Sequence, residues 1–177
     1  MKTKFFIASI LFFCLMASAS FAQKRKMQPI DYNDKLAAIT DSLYNMGIEW
    51  AGVFQEISES DKNYSRLAAS RKKIAVFTSR KMEEVRRGPT AGKGAEDLKS
   101  AMLKFLAFEK TMIDGAFAPL EKLNNTSTQT ELDDAIKKLA AEAEKEAEVL
   151  KEVNVAQERF GELNGFTLEA PDESAGE

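Results

Sequence analysis

Seven apolar side chains, Leu36, Ile39, Leu43, Met46, Trp50, Val53 and Ile57, follow one another at spacings of 3, 4, 3, 4, 3 and 4. Such a run draws one stripe along an α-helix and cannot line one face of a strand, where side chains alternate with period two. A stripe kept over three heptads has to be buried against other helices. Phe54 and Ile48 widen it toward the broader face of a globular bundle. This places a first helix at about residues 31–60.

Three more segments carry helical periodicity. A second helix is expected over about 61–87, with Tyr64, Leu67, Ile74, Phe77, Met82 and Val85 on its apolar side; Gly88-Pro89 stops it, and Gly92 and Gly94 loosen the link that follows. The third, at about 95–123, is the most apolar, with Leu98, Ala101, Phe105, Phe108 and Met112 along its stripe. The fourth, at about 130–163, follows Leu132, Ile136, Leu139, Ala143, Leu150, Val153 and Phe160, interrupted by Glu146 and Gln157. Thr128 with Glu131 forms a capping-box pattern before it, and Asn164-Gly165 closes it. No segment alternates convincingly with period two. Four long helices joined by short links predict an all-α, up-down-up-down four-helix bundle.

The N-terminus is read apart from the fold. Lys2 and Lys4 precede a 12-residue apolar run, Phe5–Met16, and Ser20-Phe21-Ala22 places small residues before a cut at Ala22/Gln23. The run is shorter than the ~20 residues that span a bilayer, so it reads as a cleaved signal peptide. Cys14 lies inside the apolar run behind bulky Phe13, unlike a lipoprotein box, so the exported chain is read as free of a lipid anchor. Residues 1–22 are thus the signal peptide, 23–30 a basic N-terminal arm, 31–168 the bundle and 169–177 an acidic tail expected to be mobile. No transmembrane segment is expected in the mature chain, which goes to the periplasm, the cell surface or the extracellular space. That mature chain has no cysteine and so must hold itself together by packing.

One set of landmarks carries a resemblance. Tyr32-Asn33-Asp34-Lys35-Leu36 opens a long helix, an Asp61–Tyr64 turn follows, and a Lys/Arg-rich helix comes next. Glu109 to Pro119 is aromatic-rich and ends near a proline, and Phe160 to Leu168 closes the chain. This order resembles a family of small exported bacterial helical-bundle proteins, often labelled surface proteins, with no established activity. The resemblance implies export and a helical fold and brings no catalytic residues.

The chemistry-bearing residues are sparse. There is no His in the chain, which removes imidazole acid–base catalysis, His metal ligation and axial His for haem. Gly88-Pro89-Thr90-Ala91-Gly92-Lys93-Gly94 superficially suggests a phosphate loop. Its glycines are one residue too close, no Ser or Thr follows Lys93, and no strand precedes it, so it reads as a flexible link. Glu49, Glu56, Glu109 and Glu146 are the acids a bundle metal site would draw on, but di-iron bundles use Glu-x-x-His pairs. No cofactor or metal is expected. Asn124-Asn125-Thr126-Ser127 reads as a polar turn.

Two candidate surfaces remain. Gly47, Gly52, Gly115 and Pro119 fall at a similar level, read as close backbone packing around Trp50 and a kink ending the third helix. The sharper alternative is a small apolar pocket formed by Trp50, Met112 and Phe117. Ala140 and Ala143 are expected to face Trp50, large against small. The second candidate is charge. Residues 61–93 carry ten bases and three acids, whereas residues 31–60 and 131–163 each carry a net −5. Lys62, Arg66, Lys73, Arg80 and Arg87 advance near one side of the second helix. They pair with the acidic helices, or they form a stripe for an acidic partner or anionic envelope component. A pI near 5.3 and export argue against nucleic acid. The sequence therefore points to an exported, non-enzymatic binding or cell-envelope structural module; the alternative is a periplasmic carrier of a small apolar ligand near Trp50.

Overall fold

A computed structural model describes residues 26–168. The expected signal segment, Cys14, the start of the basic arm and the tail 169–177 lie outside the described residues. Among the described residues the fold is all-helical, with four long helices and no strand.

Helix α1 spans Pro29–Glu59 and begins two residues earlier than the apolar stripe suggests. Pro29 supplies a preset φ where a helix needs no donor, and the Gln28 backbone N–H donates to Asp31 Oδ2 at 3.1 Å. The expected second helix does not start at Asp61. Asp61 Oδ1 accepts the Asn63 N–H at 3.0 Å, and Lys62 takes a left-handed φ of 54°, so the chain turns there. A 3₁₀ turn, Tyr64–Arg66, then leads into α2, Leu67–Arg87. Gly88 is extended because it precedes Pro89, and α2 ends there as expected.

Helix α3 is Ala95–Met112. The helical backbone continues past Gly115. It widens into a π-turn, Ile113–Phe117, where the Ala118 N–H reaches back five residues to the Ile113 carbonyl. It then resumes as α4, Ala118–Leu120. In a regular α-helix Pro119 would lack its donor and press on the carbonyl of Gly115; the wider turn accommodates both. Helix α5, Gln129–Asn164, carries the expected capping box: Thr128 N–H donates to Glu131 Oε2 at 2.7 Å, and Glu131 N–H to Thr128 Oγ1 at 3.3 Å. Gly165, at φ 76°, ends it, and Phe166 folds its ring back against Phe160.

Pairs between sequence neighbours run in reversed order along the two helices. Glu49 meets Lys73 and Glu56 meets Arg66; Lys99 reaches the Gly88 carbonyl and Arg71 meets Glu121; Lys104 meets Glu152 and Lys93 meets Asn164. The core between them holds Leu36, Ile39, Leu43, Trp50 and Ile57 of the predicted stripe, with Leu98, Met102, Phe105 and Met112 from α3. Helix α5 departs from expectation. Val153, Gln157 and Phe160 are buried, yet no residue in the segment 129–148 is. Ala140 and Ala143 are exposed, so they are not the surface that covers Trp50.

Candidate functional site

The aromatic group around Trp50 is closed by rings. Trp50, 4 % exposed, lies against Phe117 with centroids 4.4 Å apart and planes at 16°, and against Phe54 on its own helix at 5.7 Å. Met112 is buried too. The residues expected to line a pocket therefore include two that fill space against each other, and the π-turn presents Phe117 for this stack. The glycines nearby are not sites of close helix approach: a Cβ added at Gly47, Gly52 or Gly115 would meet nothing within 4 Å.

The glycine-rich link is a packed junction, not a loose connection. Asn164 accepts the Lys93 N–H at 2.9 Å and donates to the Lys93 and Phe160 carbonyls. Gly92, at φ 101°, sits where a Cβ would come within 3.0 Å of Asn164, Pro29 and Phe160. Only glycine satisfies both the left-handed backbone and the close approach.

Of the five basic residues singled out on the α2 side, four meet carboxylates. Arg66 pairs with Glu56 and Asp61, Lys73 with Glu49, Arg80 with Glu84, and Arg87 with Glu83. Lys62 lies exposed in the turn. These pairs are solvent-exposed, so water and salt screen them and each adds little to stability.

Periodicity did not single out Glu109 as buried; the signal was an acid within the most apolar helix. Its side chain is 4 % exposed, and its Oε1 has no hydrogen-bond partner among the described residues. Burial first, and then the neighbouring charge of Glu146 on α5, push its carboxyl up to about 9. At neutral pH it keeps its proton, because two close carboxylates in a poorly solvated interface do not both ionise. Glu146 is half-buried beside it rather than at a solvated edge. No group of three or more metal-binding side chains forms among the described residues.

Helices α1 and α5 touch little. Between them the Gln157 Nε2 donates to Asn33 Oδ1 at 3.3 Å, and Tyr32 meets Phe160 edge-on. Stepping by seven from Asn33 leads to Thr40 and Gly47, with Tyr44 and Ala51 on the same side. Stepping back by seven from Gln157 leads to Leu150, Ala143 and Ile136. Asn33 and Gln157 are buried, Thr40 and Leu150 half-buried, and Ala51 and Ala143 exposed. Tyr44 is 71 % exposed and Ile136 39 %. Away from Asn33–Gln157 these positions lie at the surface, while Leu132, Ala135 and Leu139 of α5 stay packed on the core.

Among known proteins the chain matches no family model, no curated protein and no solved structure. No helix of the described residues is long and apolar enough to cross a membrane.

Proposed function

We propose that the chain is an exported, non-enzymatic protein that works by binding through its surface, as a binding or cell-envelope structural module. Cleavage at Ala22/Gln23 releases it to the periplasm or the cell exterior. The reversed order of the cross-helix pairs supports an up-down-up-down four-helix bundle, and the resemblance to small exported bacterial surface proteins agrees with it. The observation that carries the binding reading is a set of large apolar side chains left at the surface of α1 and α5: Tyr44 is 71 % exposed, Ile48 55 %, Ile136 39 % and Val155 56 %. Exposed apolar side chains of this kind present surface to a partner. The stripe on α2 is a second surface, for an acidic partner or anionic envelope component, and such a partner has to compete with the carboxylates already paired to it.

The test is retention of a native envelope component by the immobilised exported protein. Retention is expected from the parent chain and is expected to fall in Ile136→Glu, whose side chain is already part-exposed. If nothing is retained, or if retention survives both Ile136→Glu and the Arg80→Glu/Arg87→Glu pair, the reading fails.

A further inference from the structure

We infer that the contact between Glu109 of α3 and Glu146 of α5 is a proton-operated latch: it holds residues 129–148 of α5 on the core while the pair keeps its proton and releases them when the proton is lost. The inference stands on the fold and does not depend on the binding reading above. Glu109 lies in the most apolar helix, between buried Phe105 and Leu106 on one side and buried Met112 and Ile113 on the other. Its Oε1 meets no donor among the described residues. The register set by Lys104 and Glu152 brings Glu146 to it, five residues on along α3 and six back along α5. Two carboxyls meet in such an interface when one keeps its proton and donates it to the other.

The segment under the latch has little else to hold it. Leu132, Ala135 and Leu139 pack on the core only partly buried, and no side chain in 129–148 is fully covered. Beyond the Thr128 cap, its other polar pairs among the described residues, Gln129–Asp133, Lys137–Asp134 and Lys145–Glu142, stay within α5. The second half is anchored differently: Val153 and Phe160 are buried, Glu152 meets Lys104, and Asn164 meets Lys93.

No base pairs with Glu109 among the described residues, and Glu146 is the charged group that acts on it. Glu142, one turn before Glu146, is taken by Lys145. On α2, Arg80 and Lys81 are turned to Glu84, and the buried Thr78 hydroxyl donates to the Ile74 carbonyl. On α1, Ile39, Leu43 and Trp50 are the inward side chains of the middle turns; Asp114 of the π-turn acts on Arg71, and Lys110 beside Glu109 is exposed. Burial first, and then Glu146, therefore push the Glu109 carboxyl up to about 9. Lifted into water, the same carboxyl ionises near pH 4. Between these values opening releases a proton, so each pH unit shifts the balance about tenfold toward the open form; below the range the drive is absent, and above it the drive levels off.

Hydrogen–deuterium exchange of the whole chain at pH 6, 7 and 8, corrected for the intrinsic rate of each amide, reads this opening. In the parent, opening of residues 132–148 is expected to grow about tenfold per pH unit, while residues 153–160 stay the better protected at every pH. Glu109→Gln keeps the shape and removes the ionisation, so residues 132–148 are expected to lose this pH dependence. Glu142→Gln takes a neighbouring charge from the same stretch of α5 and is expected to keep it. The inference is overturned if the parent shows no such slope, or if residues 132–148 and 153–160 exchange as one unit. It is overturned equally if Glu109→Gln retains the slope or Glu142→Gln loses it. The first two outcomes need only the parent chain, so the test decides even if Glu109→Gln fails to fold.

Discussion

Glu109 is a residue for which the fold gives up stability. Below the ordinary carboxyl range, near pH 4, folded and unfolded chains both carry its proton. From there up to about pH 9 only the folded chain does, so stability from this group declines as pH rises and levels off once the folded form also ionises. Glu109→Gln keeps the shape and removes the ionisation. Denaturant titrations at pH 5, 7 and 8 are expected to show a flatter pH dependence and a gain on the order of 3 kcal/mol at pH 8. A variant that loses stability equally at all three values would contradict this assignment. Trp50 makes the opposite kind of contribution. Its ring is stacked between Phe54 and Phe117, so Trp50→Ala is expected to cost roughly 3–5 kcal/mol. Gly47 and Gly52 sit in helical backbone with open space around them, so each change to Ala is expected to raise stability by about 0.5–1 kcal/mol. Gly92→Ala should do the reverse, since its backbone is left-handed and a Cβ would meet Asn164, Pro29 and Phe160. Thermal melts of the three glycine variants side by side check all of these signs.

At the scale of the element, the helices were legible wherever local chemistry decides. The heptad stripe of α1, the stop at Gly88-Pro89 and the Thr128–Glu131 box appear as read. Removing that box with Thr128→Ala is expected to cost about 1 kcal/mol, measured by denaturant titration. What local pattern did not carry is tertiary. Asp61 ends a turn that a helical count runs through, because its side chain competes for the backbone N–H of Asn63. Pro119 suggested an end, and the helix does end at Leu120, but it first takes up the proline by widening at Ile113–Phe117, a response that also delivers Phe117 to Trp50. The most instructive miss is α5. Its apolar stripe runs from Leu132 to Phe160, interrupted only at Glu146 and Gln157, so the sequence reads as one buried face. In the fold Val153, Gln157 and Phe160 are buried, Leu132, Leu139 and Leu150 pack half-buried on the core, and Ile136 and Ala143 fall at its exposed edge. Which positions of a stripe reach the core and which stay at its edge is set by how the neighbouring helices lie, and periodicity does not carry that.

Across the whole molecule, charge is segregated between helices. The basic α2 lies beside the acidic α1 and exchanges exposed ion pairs with it, whereas several acids on the far flanks of α1 and α5 are left without cations among the described residues. If the pairs between α1 and α2 serve to order the helices, Arg66→Glu with Lys73→Glu should lower the melting temperature, and the loss should shrink in high salt as exposed charges are screened over ~8 Å at 0.15 M. A melt unaffected by the double reversal would show that these charges are free for another use. The central claim is that the protein acts as a surface binder and that α1 and α5 form its binding face. Hydrogen–deuterium exchange on the whole exported chain, with and without native envelope extract, tests this most directly. The account predicts new protection in residues 40–51 and 136–150, whether or not the basic surface at residues 62–87 is protected with them. Protection confined to residues 62–87, or no change anywhere, would contradict it.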